Sequence, residues 1–151
     1  MAHASATAYA YFDTSALIKR YVEEPGRREV VQLLRTHNCV VSAVLPVEMR
    51  SALRRRVAEK TLDEKRVLAM LKRFAADRSF WTVIEVSGEV LATAETLSAA
   101  HPLRALDAIH VASARLFAAR IPSPAFIFVS ADIRQTTAAG ALAMTTRPIE
   151  S

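Results

Sequence analysis

The chain has 151 residues, 52% of them hydrophobic, which excludes a disordered chain and fits one domain with a sizeable core. Twenty Lys and Arg against 15 Asp and Glu give a formal charge of +5, and no apolar run approaches the roughly 20 residues that span a bilayer. The single cysteine, Cys39, excludes an intrachain disulfide and reads as a buried, inert thiol in a reducing compartment.

Residues 1–8 are small, carry no Lys or Arg and lack an apolar signal core. A flexible N-terminal tail is expected there, followed by one domain over 9–151 of a cytoplasmic protein. Tyr9-Ala10-Tyr11-Phe12 is a short aromatic strand that ends at Asp13. Arg27 to Arg35 puts Val30, Val31 and Leu34 on one helical face, and Cys39-Val40-Val41 is a second strand. Val44 to Glu59 and Asp63 to Phe74 repeat apolar residues at helical spacing. A third strand is expected over Trp81 to Val86, and a helix rich in Ala, Leu and Glu over Gly88 to Ala100. Leu106 to Ala119 is apolar nearly all round, so that helix is expected to be largely buried. Phe126-Ile127-Phe128-Val129 reads as a central strand covered on both faces. A last helix begins near Asp132, and Ala143 to Thr146 is a weak fifth strand. Strands separated by helices imply an α/β fold with a mostly parallel sheet, whose functional crevice lies at the carboxyl ends of the strands.

The surplus charge is local. From Glu48 to Arg78 there are ten basic residues against five acidic ones, so this stretch carries the whole excess. A polyanionic partner suits it, and so does a merely solvated helical face.

Four carboxylates stand where such a crevice forms. Asp13 follows the first strand, and reads either as the N-cap of the next helix or as a chemical group, with Thr14 and Ser15 hydroxyls beside it. Glu48 opens the helix after Pro46; an acid there is favourable to the helix dipole, but Leu45 stands where a capping box needs Ser or Thr. Asp107 opens the most apolar helix, where a carboxylate needs a cap, a partner or a metal. His110, one turn on, reads as a core histidine or as a ligand. Asp132 follows the fourth strand, with Ser130 available as the cap. Together the four repel unless cations neutralise them, and hard divalent ions such as Mg²⁺ or Mn²⁺ suit oxygen ligands.

Those segments, in this order, carry a resemblance. Asp13-Thr14-Ser15-Ala16-Leu17, Glu48 with Arg50-Ser51-Ala52-Leu53, Leu106-Asp107-Ala108-Ile109-His110-Val111-Ala112 and Ser130-Ala131-Asp132 are similar to the motifs of PIN-domain ribonucleases, in particular the VapC-like toxins of toxin–antitoxin pairs. The similarity runs from about Tyr11 to Met144. It implies a three-layer α/β/α PIN-like fold, Mg²⁺- or Mn²⁺-dependent cleavage of RNA to 5′-phosphate and 3′-hydroxyl ends, a homodimer and an antitoxin partner. It also implies that Asp13, Glu48, Asp107 and Asp132 form the acidic quartet, with Asp13, Asp107 and Asp132 on the metal. Thr14, Ser15 and Ser130 would then orient the acids, and Lys19, Arg50, Arg54 and Arg55 would hold the RNA backbone. The alternative is a catalytically silent PIN-like module that binds RNA or protein. A phosphatase or phospho-acceptor domain would want an acid where Ser15 stands and a Lys beyond Lys72, and has neither.

Overall fold

A computed structural model describes residues 7–121 and 125–151. Most of the expected N-terminal tail lies outside the described residues. Strand β1 (Tyr9–Phe12) leads into a single turn of helix, α1 (Thr14–Leu17), then a 3₁₀ turn and α2 (Arg27–Thr36). Next come β2 (Asn38–Ser42), α3 (Leu45–Ala58), α4 (Glu64–Asp77), β3 (Thr82–Ile84), α5 (Gly88–Ala100) and α6 (Ala105–Arg120). The described chain closes with β4 (Phe126–Ser130), α7 (Ile133–Ala141) and β5 (Thr145–Pro148).

All five strands pair in parallel, in the order β3-β2-β1-β4-β5. The chain moves outward from β1 to β3, then crosses back to β4 and continues to β5. Right-handed crossovers put the helices of the two journeys on opposite faces of the sheet. The buried side chains divide accordingly. Ala10, Phe12, Val41 and Val129 pack with Leu17, Val30, Met49, Leu53 and Phe74 from α1 to α4. Tyr11, Val40, Phe126 and Phe128 pack with Val90, Leu97, Val111 and Ala138 from α5 to α7. This is the expected three-layer α/β/α arrangement, with alternate residues of β1 and β4 feeding the two cores.

Three expectations need correction. Strand β3 is only three residues long. A 3₁₀ turn (Arg78–Phe80) ends just before it, and Ser87, whose Oγ accepts from Val90 N–H at 3.2 Å, starts α5 soon after it. Strand β5 begins at Thr145 because the end of α7 uses the preceding residues: Ala143 takes a positive φ of 63° and Met144 N–H bonds to Ala139 O. Helix α6 is buried through Ala108 and His110–Ala114 but exposes Leu106, Arg115 and Arg120, so it is covered at its middle rather than throughout. Cys39 is buried, as expected, and burial pushes its thiol pKa up.

Gly26 starts α2 with φ +84°, and a Cβ there would come within 2.4 Å of Ile149 Cγ2 and 2.8 Å of Glu150 O. Gly26→Ala therefore adds left-handed strain to a backbone clash, and should lower the melting temperature by about 5 °C or more. An unchanged thermal melt would show that the chain beyond β5 yields at no cost.

Candidate active site

Strand order reverses at β1 and β4, and the groups that follow these two strands meet at their carboxyl ends. Asp13 leaves β1 in extended backbone, 1% exposed, and its Oδ1 caps α1 by accepting from Ala16 N–H at 3.0 Å. Ser15 Oγ lies 2.9 and 2.8 Å from the two Asp13 oxygens, accepts from Ala131 N–H and sits 3.3 Å from Ser130 Oγ. Burial raises the Asp13 pKa above the usual range; the His110 charge and the bonds from Ser15 and Ala16 offset this only partly.

Glu48 sits in the first turn of α3, where Thr14 Oγ1 donates to its Oε1 at 2.8 Å. His110 Nε2 lies 2.5 Å from the same oxygen, and Tyr11 Oη lies 2.9 Å from His110 Nδ1. Burial raises the Tyr11 pKa far above its ordinary value, so the phenol keeps its proton beside His110. Burial pushes the Glu48 pKa up, but the His110 bond and charge and the Thr14 bond outweigh it and hold the carboxyl below the usual range. His110 thus resolves as a buried partner of Glu48.

Asp107 opens α6. Its Oδ2 accepts from Arg104 N–H at 3.3 Å, so the helix cap is real, and its Oδ1 accepts from Gln135 Nε2 at 3.0 Å. The same Nε2 lies 3.0 Å from Asp13 Oδ2. Asp132 itself caps α7 by accepting from Arg134 N–H, which corrects the expectation that Ser130 does so; Ser130 Oγ instead accepts from Asp132 N–H. Arg134 also grips both Asp132 oxygens, at 3.1 and 2.7 Å, and reaches Asp107 Oδ2 at 3.8 Å. That bond is the main reason the Asp132 pKa lies below the usual range.

Glu48, Asp107 and Asp132 line one cavity of about 990 Å³ with Thr14 and Ser15, while Asp13 lies beneath, joined to Asp107 through the Gln135 amide. Lys19, Arg55, Arg56, Arg104 and Arg134 line the same cavity. Lys19 is 4% exposed, with Nζ on Pro25 O and Glu24, and Arg56 Nη2 holds the other Glu24 oxygen. Arg50 and Arg54 are exposed on α3 and do not line the cavity. Gln135, Arg134, Arg104 and Arg56 join the site without having been singled out in the sequence. The closeness of Arg134 and Gln135 to Asp132, on the first turn of the next helix, is the only signal that pointed to them.

Among the described residues no three His, Cys, Asp or Glu side chains converge tightly enough to form a ready cation cage. The donors are nonetheless all oxygen, and Asp13 is a buried carboxylate without an Arg or Lys bonded to it among the described residues. Gln135 also buries an Oε1 that has no partner among the described residues. This donor set fits a hard divalent ion once Gln135 and Arg134 give way.

Fold and site together define a parallel α/β protein with an acidic crevice at its topological switch point, walled by cations. The chain belongs to the PIN domain family, whose model matches residues 10–141. Members of that family are usually nucleases and generally use divalent metal ions. Solved structures share the fold, three of them as follows. A toxin–antitoxin complex from Klebsiella pneumoniae is 22% identical over 83% of this chain and 88% of its own, with a TM-score of 0.59. FitAcB from Neisseria gonorrhoeae is 15% identical over 91% and 95%, with a TM-score of 0.63. VapBC2 from Rickettsia felis, bound to a promoter DNA fragment, is 11% identical over 94% and 99%, with a TM-score of 0.64. No curated protein sequence matches the chain. No helix among the described residues is long and apolar enough to cross a membrane.

Proposed function

We propose that this chain is a Mg²⁺- or Mn²⁺-dependent endoribonuclease and the VapC-like toxin of a type II toxin–antitoxin pair. The observation that carries the reading is the cavity in which Glu48, Asp107 and Asp132 face a basic wall, with Asp13 buried beneath and tied to Asp107. Family membership supports nuclease chemistry, and toxin–antitoxin complexes among the structures of like fold support an antitoxin partner.

Asp13, Asp107 and Asp132 are the residues that would hold the ion. When bound, the ion supplies Lewis acidity at the phosphoryl oxygen and makes a nearby water more acidic. Glu48, kept ionised and aimed by His110 and Thr14, accepts a proton from the attacking water. Arg134 releases Asp132 and turns toward the phosphate, while Arg104 faces the same anion from the start of α6. Arg55, Arg56 and Lys19 track the RNA backbone across the cavity, and Arg50 and Arg54 extend this surface along α3. The ends produced are 5′-phosphate and 3′-hydroxyl. The protein works as a cytoplasmic homodimer silenced by its antitoxin.

Purified protein should cut a single-stranded oligoribonucleotide with Mg²⁺ or Mn²⁺ and stop on addition of EDTA. Binding without cutting under both conditions would favour the silent RNA-binding module. The basic wall makes a separate prediction. In a salt titration of RNA binding, Arg55→Ala should weaken affinity and reduce the slope of log affinity against log salt by about 0.7–0.9, the loss of one phosphate contact. An unchanged slope would remove Arg55 from the binding surface.

A further inference from the structure

Gln135 is 3% exposed on α7, and its side chain is placed by the carboxylates it touches. Nε2 stands 3.0 Å from Asp13 Oδ2 and 3.0 Å from Asp107 Oδ1, so each of its two hydrogens goes to a different acid. The amide Oε1 is buried with no partner among the described residues, so nothing on the carbonyl side fixes the group. A residue that merely filled the core here would be better apolar, since a buried carbonyl without a partner is unfavourable. What the amide does achieve is electrostatic. Two carboxylate oxygens, one on buried Asp13 and one on Asp107 at the cavity wall, each lie at hydrogen-bond distance from one nitrogen and repel. Arg134 reaches Asp107 and Asp132, whereas the Asp13 carboxylate takes its bonds from Ser15, Ala16 N–H and Gln135.

We propose that Gln135 is a positioning residue that stands in for the divalent cation. In the metal-free protein its two N–H groups hold Asp13 and Asp107 together, and it yields those oxygens when the cation enters. The inference rests on the metal reading given above. N–H groups aimed at the same oxygens are repelled by an incoming cation, so amide and ion compete for them. The Gln135 bonds therefore stabilise the free protein more than the loaded one. Removing them should tighten metal binding while weakening the fold.

Thermal melts of the full chain, each in EDTA and in saturating Mn²⁺, with a calorimetric Mn²⁺ titration, test this. Gln135→Leu keeps the size and removes the N–H groups. Its melt in EDTA should fall by about 5 °C or more, while its melt in Mn²⁺ falls less. The Mn²⁺-induced increment should exceed that of the wild type, and Mn²⁺ should bind about tenfold more tightly. Gln135→Glu, which puts a third carboxylate at the bridge, should lose more in EDTA and show a larger increment still. A variant unfolded in EDTA that folds on addition of Mn²⁺ also supports the proposal. Equal losses under both conditions, or a variant unfolded in both, mark Gln135 as a structural residue and overturn it. A smaller increment with weaker Mn²⁺ binding overturns it by making Gln135 a holder of the ion. A wild type indifferent to Mn²⁺ removes the metal reading itself, and this inference with it.

Discussion

On the proposed reading, Asp13→Asn and Asp107→Asn should each lower the rate of RNA cleavage by about two orders of magnitude or more, the loss expected if these acids hold the ion that activates water. For Asp13 the loss should fall on kcat with KM nearly unchanged, because a side chain 1% exposed beneath the cavity floor cannot touch RNA. Arg55 lines the cavity wall, so Arg55→Ala should show the reverse pattern, a raised KM at nearly constant kcat. Steady-state kinetics on one oligoribonucleotide separates these cases. Equal KM effects for Asp13 and Arg55 would contradict the placing of Asp13 under the site.

The second large effect is on stability, and it runs opposite to activity. Burial raises the Asp13 pKa, so at neutral pH its ionised form costs the folded state free energy that the unfolded chain does not bear. Asp13→Asn removes that charge, and Ser15 Oγ, which touches both oxygens, can accept as well as donate. In EDTA at neutral pH the variant should melt about 3 °C or more above the wild type, the stability–activity trade-off of a strained site. The sign fixes the pH window. The gain is full above the raised folded pKa, shrinks as pH falls through it, and vanishes below the ordinary Asp range, where both states are protonated. Adding Mn²⁺ should reverse the order, since an ion at one hundred times its dissociation constant stabilises the wild type by about 2.7 kcal/mol. A variant less stable at neutral pH in EDTA would show that the bonds to Asp13 outweigh its burial.

Much of this was legible in the chain itself. Tyr9–Phe12 stands in the structure with the ends expected of it, and so does Gly88–Ala100, whose start is fixed by the Ser87 cap. Local chemistry sets both. Strand β3 is shorter and β5 begins later than expected because their ends depend on what the neighbouring helices do, as the positive φ of Ala143 shows for β5. The four acids were legible because strand ends and helix starts converge in a parallel sheet. Their partners were not. Arg104 donates its backbone N–H to Asp107 at the start of α6, which no side-chain pattern announces. Gln135 matters only because Asp13, 122 positions earlier in the chain, lies against it. On α3 the cavity is lined by Arg55 and Arg56 rather than Arg50 and Arg54, a matter of helical phase against the core that charge counting does not resolve.

The most direct test of the central claim is to map the 5′ ends of RNA exposed to the purified protein in Mn²⁺, in EDTA, and to the Asp13→Asn variant in Mn²⁺. The wild type in Mn²⁺ should yield new 5′-phosphate ends at discrete positions, paired with 3′-hydroxyl ends, and the other two samples should yield none. The same ends arising in EDTA, or from the Asp13→Asn variant at the wild-type rate, would contradict metal-dependent cleavage at this site.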